Sequence, residues 1–329
     1  MTSRFDVAAI GNAIVDVIAP CDEAFLEAQA LTSGTMMLID GERAAQLYAA
    51  MAAGVEASGG SAGNTVAGVA SFGGKAAFIG KIAADQLGEV FTHDMRAQGV
   101  HFATAPFEGG EATGRSLINV TPDGQRTMST HLGVAGQLTP DDVDPTVIEA
   151  AAITYLEGYL FDPPSAREAF VKAAGIARAA GNKVAITLSD VFVVDRWRTE
   201  LLDFLAASTD LVFANENELK ALFETGDFDT AVEKLRGIVP LAAVTRSEHG
   251  SLVIARDETH AVPAYPVDKV VDTTGAGDQY AAGFMFGLAH GRALDDCARL
   301  GSLAAAEVIA HYGPRPLVSL KALAKTAGL

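Results

Sequence analysis

Beyond residue 150 the chain alternates between two periodicities, and that rhythm restricts its fold more than any other feature. Short apolar runs suited to buried strands fall at Ile153–Leu156, Val184–Leu188, Leu211–Ala214, Ala242–Thr245 and Leu252–Ala255. Helical stretches lie between most of them, near Ser165–Ala180, Arg196–Ala207, Glu216–Phe223 and Phe228–Ile238. Strands that are apolar on both faces, joined by helices, predict a mostly parallel sheet covered on both sides. Phe5–Ile10 and Ala76–Gly80 add strands, with Val15–Ile18 continuing the first. Thr32–Asp40 reads as extended, and Glu42–Ala53, Thr65–Phe72 and Leu87–Gln98 as helices. Four extended segments then follow closely: His101–Pro106, Thr113–Val120, Arg126–His131 and the approach to Gly136. The turn Thr121-Pro-Asp-Gly124 separates two of them. They predict a small antiparallel sheet inserted in the larger fold. With no repeat and no low-complexity linker, residues 1–329 read as a single domain. Segments near 12–40 and 100–135 would form a lid on it.

Composition narrows the partners. A net charge of −17 disfavours nucleic-acid backbones and anionic membranes. Cys21 and Cys297 match no metal-site spacing and read as free thiols of a reducing compartment. The N-terminus carries no signal-peptide pattern and no apolar run reaches membrane-spanning length, so a cytoplasmic location is expected. Neither a P-loop nor a G-x-G-x-x-G fingerprint is present, which disfavours a dehydrogenase.

The chemistry concentrates in Val271-Asp-Thr-Thr-Gly-Ala-Gly-Asp278, which runs into a small-residue apolar helix. Thr273 and Thr274 are helix-start residues, and the glycines permit a tight turn. The N–H groups of residues 275–278 would then be unpaired at a helix N-terminus, where they attract an anion. A carboxylate there is repulsive unless it does chemistry. Asp278 can take a proton from a hydroxyl while Gly275, Ala276 and Gly277 hold a transferring phosphoryl group. A glycine-rich helix cap is the plain alternative.

Three other stretches carry polar groups at strand or loop ends. Asn12 and Asp16 stand four residues apart and can grip vicinal hydroxyls. The loop Gly59-Gly60-Ser61 enters a helix at Asn64, and its glycines let backbone approach a ligand. Asn215 and Glu218 follow the strand Leu211–Ala214, and strand ends of α/β sheets are ligand sites. A turn, tight helix packing and an acidic helix start are the respective plain readings.

These stretches resemble the ribokinase-like (PfkB) carbohydrate and nucleoside kinases. The resemblance rests on GNAIVD, SGGSAGN, NENE and DTTGAGD, in that family's order from residue 11 to 278. It implies a three-layer α/β/α fold with a small β-sheet lid, and transfer of phosphate from ATP. It places Asp16 on sugar hydroxyls, Asn215 and Thr274 at the nucleotide, and Glu218 on Mg²⁺ through water. Arg126, otherwise a solvated hairpin cation, would lie on the lid near the substrate. Thr245 and Gly250 match the family's T-x-G-x-x-G nucleotide loop, with Ser247 replacing its first glycine. Residues 304–313 would wall the adenine and a monovalent-cation (K⁺) site. Most similar are bacterial members acting on adenosine, notably in TPDGQRTM and YLEGYLFDPP. That implies an apolar base slot, for which Ile14, Met37, Tyr159 and Phe161 are candidates. Phosphorylation of the adenosine 5′-hydroxyl is expected. Another nucleoside, a sugar acceptor and a non-catalytic nucleoside-binding protein are the alternatives. Monomer and homodimer both remain open.

Overall fold

The computed structural model describes residues 5–329; residues 1–4, where the stretch scanned for a leader begins, lie outside the described residues. Thirteen strands occur among them. In chain order these are β1 (Phe5–Ile10), β2 (Ile14–Pro20), β3 (Met36–Leu38), β4 (Val55–Ser58), β5 (Ala76–Ile79), β6 (Gly114–Val120), β7 (Arg126–His131), β8 (Ala151–Glu157), β9 (Lys183–Thr187), β10 (Leu211–Asn215), β11 (Leu241–Thr245), β12 (Ser251–Ala255) and β13 (Thr259–Val262). Eight form one sheet in the order β13-β12-β11-β10-β9-β8-β1-β5. Pairing is parallel from β5 to β11 and antiparallel only at β12 and β13.

Both faces of this sheet are buried, which is why its strands read as unbroken apolar runs. Alternate residues of β1 enter different cores: Ala8 and Ile10 one, Val7 and Ala9 the other. The first core holds the helices Pro164–Ala179, Val191–Ser208, Glu216–Leu222 and Phe228–Arg236; the second holds Ser61–Ser71, Gln86–Ala97, Ala276–Ala289 and part of Leu294–Ile309. Parallel pairing puts the carboxyl ends of β1, β8, β9, β10 and β11 along one edge.

The other five strands form a second sheet in the order β3-β7-β6-β2-β4. Here the structure corrects several expectations. Val15–Ile18 does not continue β1. After Gly11–Ala13 the chain leaves the large sheet, and β2 becomes central to the small one. The small sheet is mixed rather than antiparallel, because β2–β6 and β3–β7 run parallel. It also takes in β4, whose short, half-exposed run gives little periodicity to read. His101–Pro106 forms no strand; His101 makes only an isolated bridge beside β5. The approach to Gly136 is the 3₁₀ turn Gly133–Gln137. Helices Glu23–Ala28 and Leu320–Thr326 and strand β13 went unread; they are short, and length is what makes a periodicity visible. No helix of the described residues is long and apolar enough to cross a membrane. Cys21 and Cys297 are both free.

Candidate active site

A cavity of about 1170 Å³ lies where the small sheet meets the carboxyl edge of the large one. That exceeds the roughly 300–1,000 Å³ of a site for one small ligand. The small sheet contributes Ile14, Asp16, Met36, Leu38, Ser116 and Met128 to the wall; Asn215, Glu218, Thr245, Gly250, Val270 and Ile309 also line it, and Tyr159 enters from the turn after β8, packed on Phe192. The octet 271–278 lies along it, with Gly275, Ala276, Gly277 and Asp278 all in the wall.

The octet folds differently from its sequence reading in one respect. The threonines do not cap the helix Ala276–Ala289. Gly275 is its N-cap, at φ 78° and ψ −1°, and no side chain caps it. Only glycine adopts that left-handed turn freely, and a Cβ there would stand 2.7 Å from Pro314. Thr274 turns back instead, its N–H (3.0 Å) and Oγ1 (2.7 Å) donating to Asp272 Oδ1. Ala276 N–H is also not free as expected; it donates to the Thr273 carbonyl at 3.2 Å. Among the described residues the N–H groups of Gly275, Gly277 and Asp278 meet no acceptor. A compact open anion site remains, smaller than the sequence implied.

Asp278 faces it from the first turn. Its Oδ1 accepts from Ser61 Oγ at 2.6 Å and its Oδ2 from Asn64 Nδ2 at 3.1 Å. Burial drives its pKa up to about 6, and the Ser61 and Asn64 hydrogen bonds and the Arg315 charge hold it from rising further. Ionised near neutrality and partly desolvated, such a carboxylate suits a general base. Ser61 and Asn64 therefore serve Asp278 directly, whatever else they bind.

Asp16, on β2, is likewise pushed up to about 6 by burial, against the charges of Arg315 and Arg126. Gly59 makes room for it: a Cβ at Gly59 would lie 2.5 Å from the Asp16 carboxyl. Gly60 lines the cavity at φ 81°. Asn12 Nδ2 donates to Glu157 Oε1 at 2.7 Å, while its buried Oδ1 has no partner. Glu157 was not read from the sequence. It is buried, pushed up to about 7 by desolvation, and also accepts from Ala62 N–H at 2.9 Å. A lone acid in the apolar run Tyr155-Leu-Glu157-Gly was its signal.

The remaining candidates divide. Tyr159 reaches the cavity, but Phe161 is buried among Phe170 and Phe204 and does not line it. Met36 and Leu38, rather than Met37, face the cavity; the slip of one position follows from strand alternation. Arg126 is buried; its Nη2 pairs with Asp272 at 2.8 Å, while its Nε and Nη1 have no partner among the described residues. Asn215 and Glu218 form a reciprocal capping box for Glu216–Leu222, the plain reading of that motif. Glu218 also lines the cavity, and burial, reinforced by Asp190, pushes it up to about 7. No group of three metal-ligating side chains exists among the described residues. With so few protein donors, a Mg²⁺ ion there would have to be held mainly by phosphate oxygens and water, with Glu218 the candidate carboxylate in the wall. Ser247 sits at φ 51°, which explains why a glycine would be easier there. Residues 304–313 are not one helix. Leu294–Ile309 ends first, and Ala305, Ala306 and Ile309 line the cavity.

Comparison with known proteins agrees with this geometry. Residues 5–320 match the pfkB family carbohydrate kinases. The structure of an adenosine kinase from Sinorhizobium meliloti superposes with a TM-score of 0.92 at 55% identity, covering 99% of this chain and 100% of that one. A probable sugar kinase from Rhizobium etli gives 0.93 at 51% identity, with 99% of each chain covered. An adenosine kinase of Saccharomyces cerevisiae is 27% identical over 93% of this chain and 95% of its own length. The family match spans nearly the whole chain, and the chain belongs to the pfkB family of carbohydrate kinases.

Proposed function

We propose that this chain phosphorylates the 5′-hydroxyl of adenosine, giving AMP and ADP. The observation that carries the acceptor is the apolar wall that the small sheet lends the cavity, formed by Ile14, Met36, Leu38 and Met128 beside Asp16. A purine needs such a slot beside a group that reads ribose hydroxyls. A free sugar does not. Similarity to adenosine kinases supports the same acceptor.

Asp16 and Asn12 hold the ribose, and Asn64 helps orient it beside Asp278. The small sheet acts as a lid that excludes water and suppresses hydrolysis of ATP. Thr245, Gly250, Asn215 and Thr274 border the nucleotide end. Asp278 takes the 5′-hydroxyl proton as that oxygen bonds to the γ-phosphorus. The bond from phosphorus to the β,γ-bridging oxygen breaks, and ADP leaves with its electron pair. The N–H groups of Gly275 and Gly277 steady the charge on the moving phosphoryl group. Mg²⁺, beside Glu218, would neutralise phosphate charge. A cytoplasmic enzyme is consistent with the acidic chain and free thiols. K⁺ dependence follows from the resemblance alone, and replacing K⁺ by an organic cation in the assay tests it.

The decisive experiment is a screen of nucleosides and sugars with the purified chain and Mg-ATP. Adenosine should have the highest kcat/KM. Preference for ribose or fructose would overturn the acceptor while leaving the kinase, and binding without turnover would overturn the kinase.

A further inference from the structure

Arg315 belongs to no motif read from the sequence. It lies in the segment after Leu294–Ile309, and its side chain runs inward to the back of the catalytic carboxylate. Its Nε donates to Asn64 Oδ1 at 3.1 Å, its Nη1 to Ser58 Oγ at 2.6 Å, and its Nη2 lies 3.8 Å from Met95 Sδ. Asn64 passes the contact on, since its Nδ2 is the donor to Asp278 Oδ2. An amide side chain has one accepting and one donating end. With its oxygen held by a guanidinium, Asn64 can present only N–H to Asp278.

We infer that Arg315 is a positioning residue for phosphoryl transfer, orienting Asn64 and, through it, the Asp278 carboxylate. The inference rests on the reading of Asp278 as the base but not on the identity of the acceptor. Arg315 also contributes charge. The titratable groups facing Asp278 are Asp16, with Arg126 beside it, on the small sheet, and Tyr155, Glu157 and Tyr159 on β8 and the turn after it. Among the described residues Arg315 is the cation whose charge lowers Asp278 directly. It acts on Asp16 in the same sense, and Asp94, behind Ser58, faces it from the far side. Without Arg315, burial of Asp278 is opposed by less. The carboxyl then holds its proton to higher pH, and the base is lost earlier as pH falls. Because Asp16 and Asp278 interact, the acid limb of the rate belongs to the pair.

The test compares wild type, Arg315→Met and Arg315→Lys by pH profiles of kcat and kcat/KM with saturating Mg-ATP. The acceptor is adenosine, or whichever acceptor the wild type prefers. Arg315→Met should lose roughly tenfold or more in kcat at neutral pH, part of the contribution of a well-placed base. Its acid limb should move to higher pH, with KM for ATP little changed. Arg315→Lys keeps the charge but offers no Nε at the right place, so its acid limb should return toward wild type while kcat stays reduced. A uniform loss at every pH with the limb unmoved would mark Arg315 as merely structural and overturn the inference. If Arg315→Met does not fold, Arg315→Lys decides: reduced kcat with a near-normal limb supports the inference, and wild-type kcat overturns it. A wild type inactive on every acceptor would instead remove the kinase reading before any variant is made.

Discussion

Two helix starts meet at the centre of this protein and use the same device to different ends. Ser61–Ser71 and Ala276–Ala289 each begin at a glycine N-cap with positive φ, 81° at Gly60 and 78° at Gly275, and neither has a side-chain cap. Each would attract an anion. The first already has one: Glu157, a buried carboxylate of the protein, accepts from Ala62 N–H at 2.9 Å. The second leaves the Gly275 and Gly277 N–H groups free among the described residues. A third start, Glu216–Leu222, is closed by its own Asn215–Glu218 capping box. Of these three helix starts, only the one to which the fold supplies no acceptor is left open to an outside anion. The filled terminus then lends its side chains, Ser61 and Asn64, to the base of the open one.

Breaking the open terminus should have the largest effect. Asp278→Asn is expected to lower kcat by roughly 10²–10⁴, the range for a lost general base, with ATP affinity little changed. In wild type the acid limb of kcat/KM should fall near pH 6, where Asp16 and Asp278 protonate as a pair. In the variant only the part of that limb that belongs to Asp16 should remain. Steady-state kinetics against pH check both points, and near-normal turnover in Asp278→Asn would remove it from the base role.

Gly275→Ala should follow. Its Cβ would stand 2.7 Å from Pro314 in a left-handed turn, so the N–H groups must move. A loss of about 10² in kcat is expected, the scale of one lost oxyanion-type donor. Circular dichroism checks that the variant is folded. Unchanged kcat would mean that these groups do not carry transition-state charge.

Asp16→Ala probes the acceptor side, where the loop entering Ser61–Ser71 presses on that carboxyl. Each charged hydrogen bond lost should cost about 1.5–3 kcal/mol in kcat/KM for adenosine. The cost should be smaller for 2′- or 3′-deoxyadenosine. Equal losses for all three acceptors would show that Asp16 does not read those hydroxyls.

Glu157→Gln sharpens the comparison itself. The substitution leaves one N–H facing either Asn12 or Ala62, and roughly a tenfold rise in acceptor KM, about 1.4 kcal/mol, is expected at the filled terminus. An unchanged KM would mean that the occupant of that helix start has no bearing on acceptor binding. The smallest effect belongs to the capped start. Glu218→Ala should raise the Mg²⁺ concentration needed for half-maximal rate, and an unchanged titration would leave Glu218 as a helix cap alone.

Much of this was legible in the sequence because it depends on near neighbours. The large sheet could be read because strands buried on both faces are continuously apolar and are separated by helices long enough to show their period. The turn of the octet could be read because its glycines permit it locally, but its cap could not: Thr274 turns back to Asp272 and Gly275 takes the cap. Strand β4 and the parallel pairings of the small sheet could not, since their partners lie far away in sequence and half-exposed strands carry little pattern. Phe161 and Tyr159 stand two positions apart, yet the turn after β8 sends one into the core and the other to the cavity.

By itself the sequence determined the class of fold, the helix that follows the octet and the glycines that permit the turn before it. Those follow from chain stereochemistry and the periodicity of burial. The tertiary structure decided which helix start stayed open, that Arg126 turns to Asp272, and that Arg315 and Glu157 reach the same few ångströms as Asp278. Each of these depends on groups separated by tens to hundreds of residues whose hydrogen bonds and charges find one another only once the chain has packed.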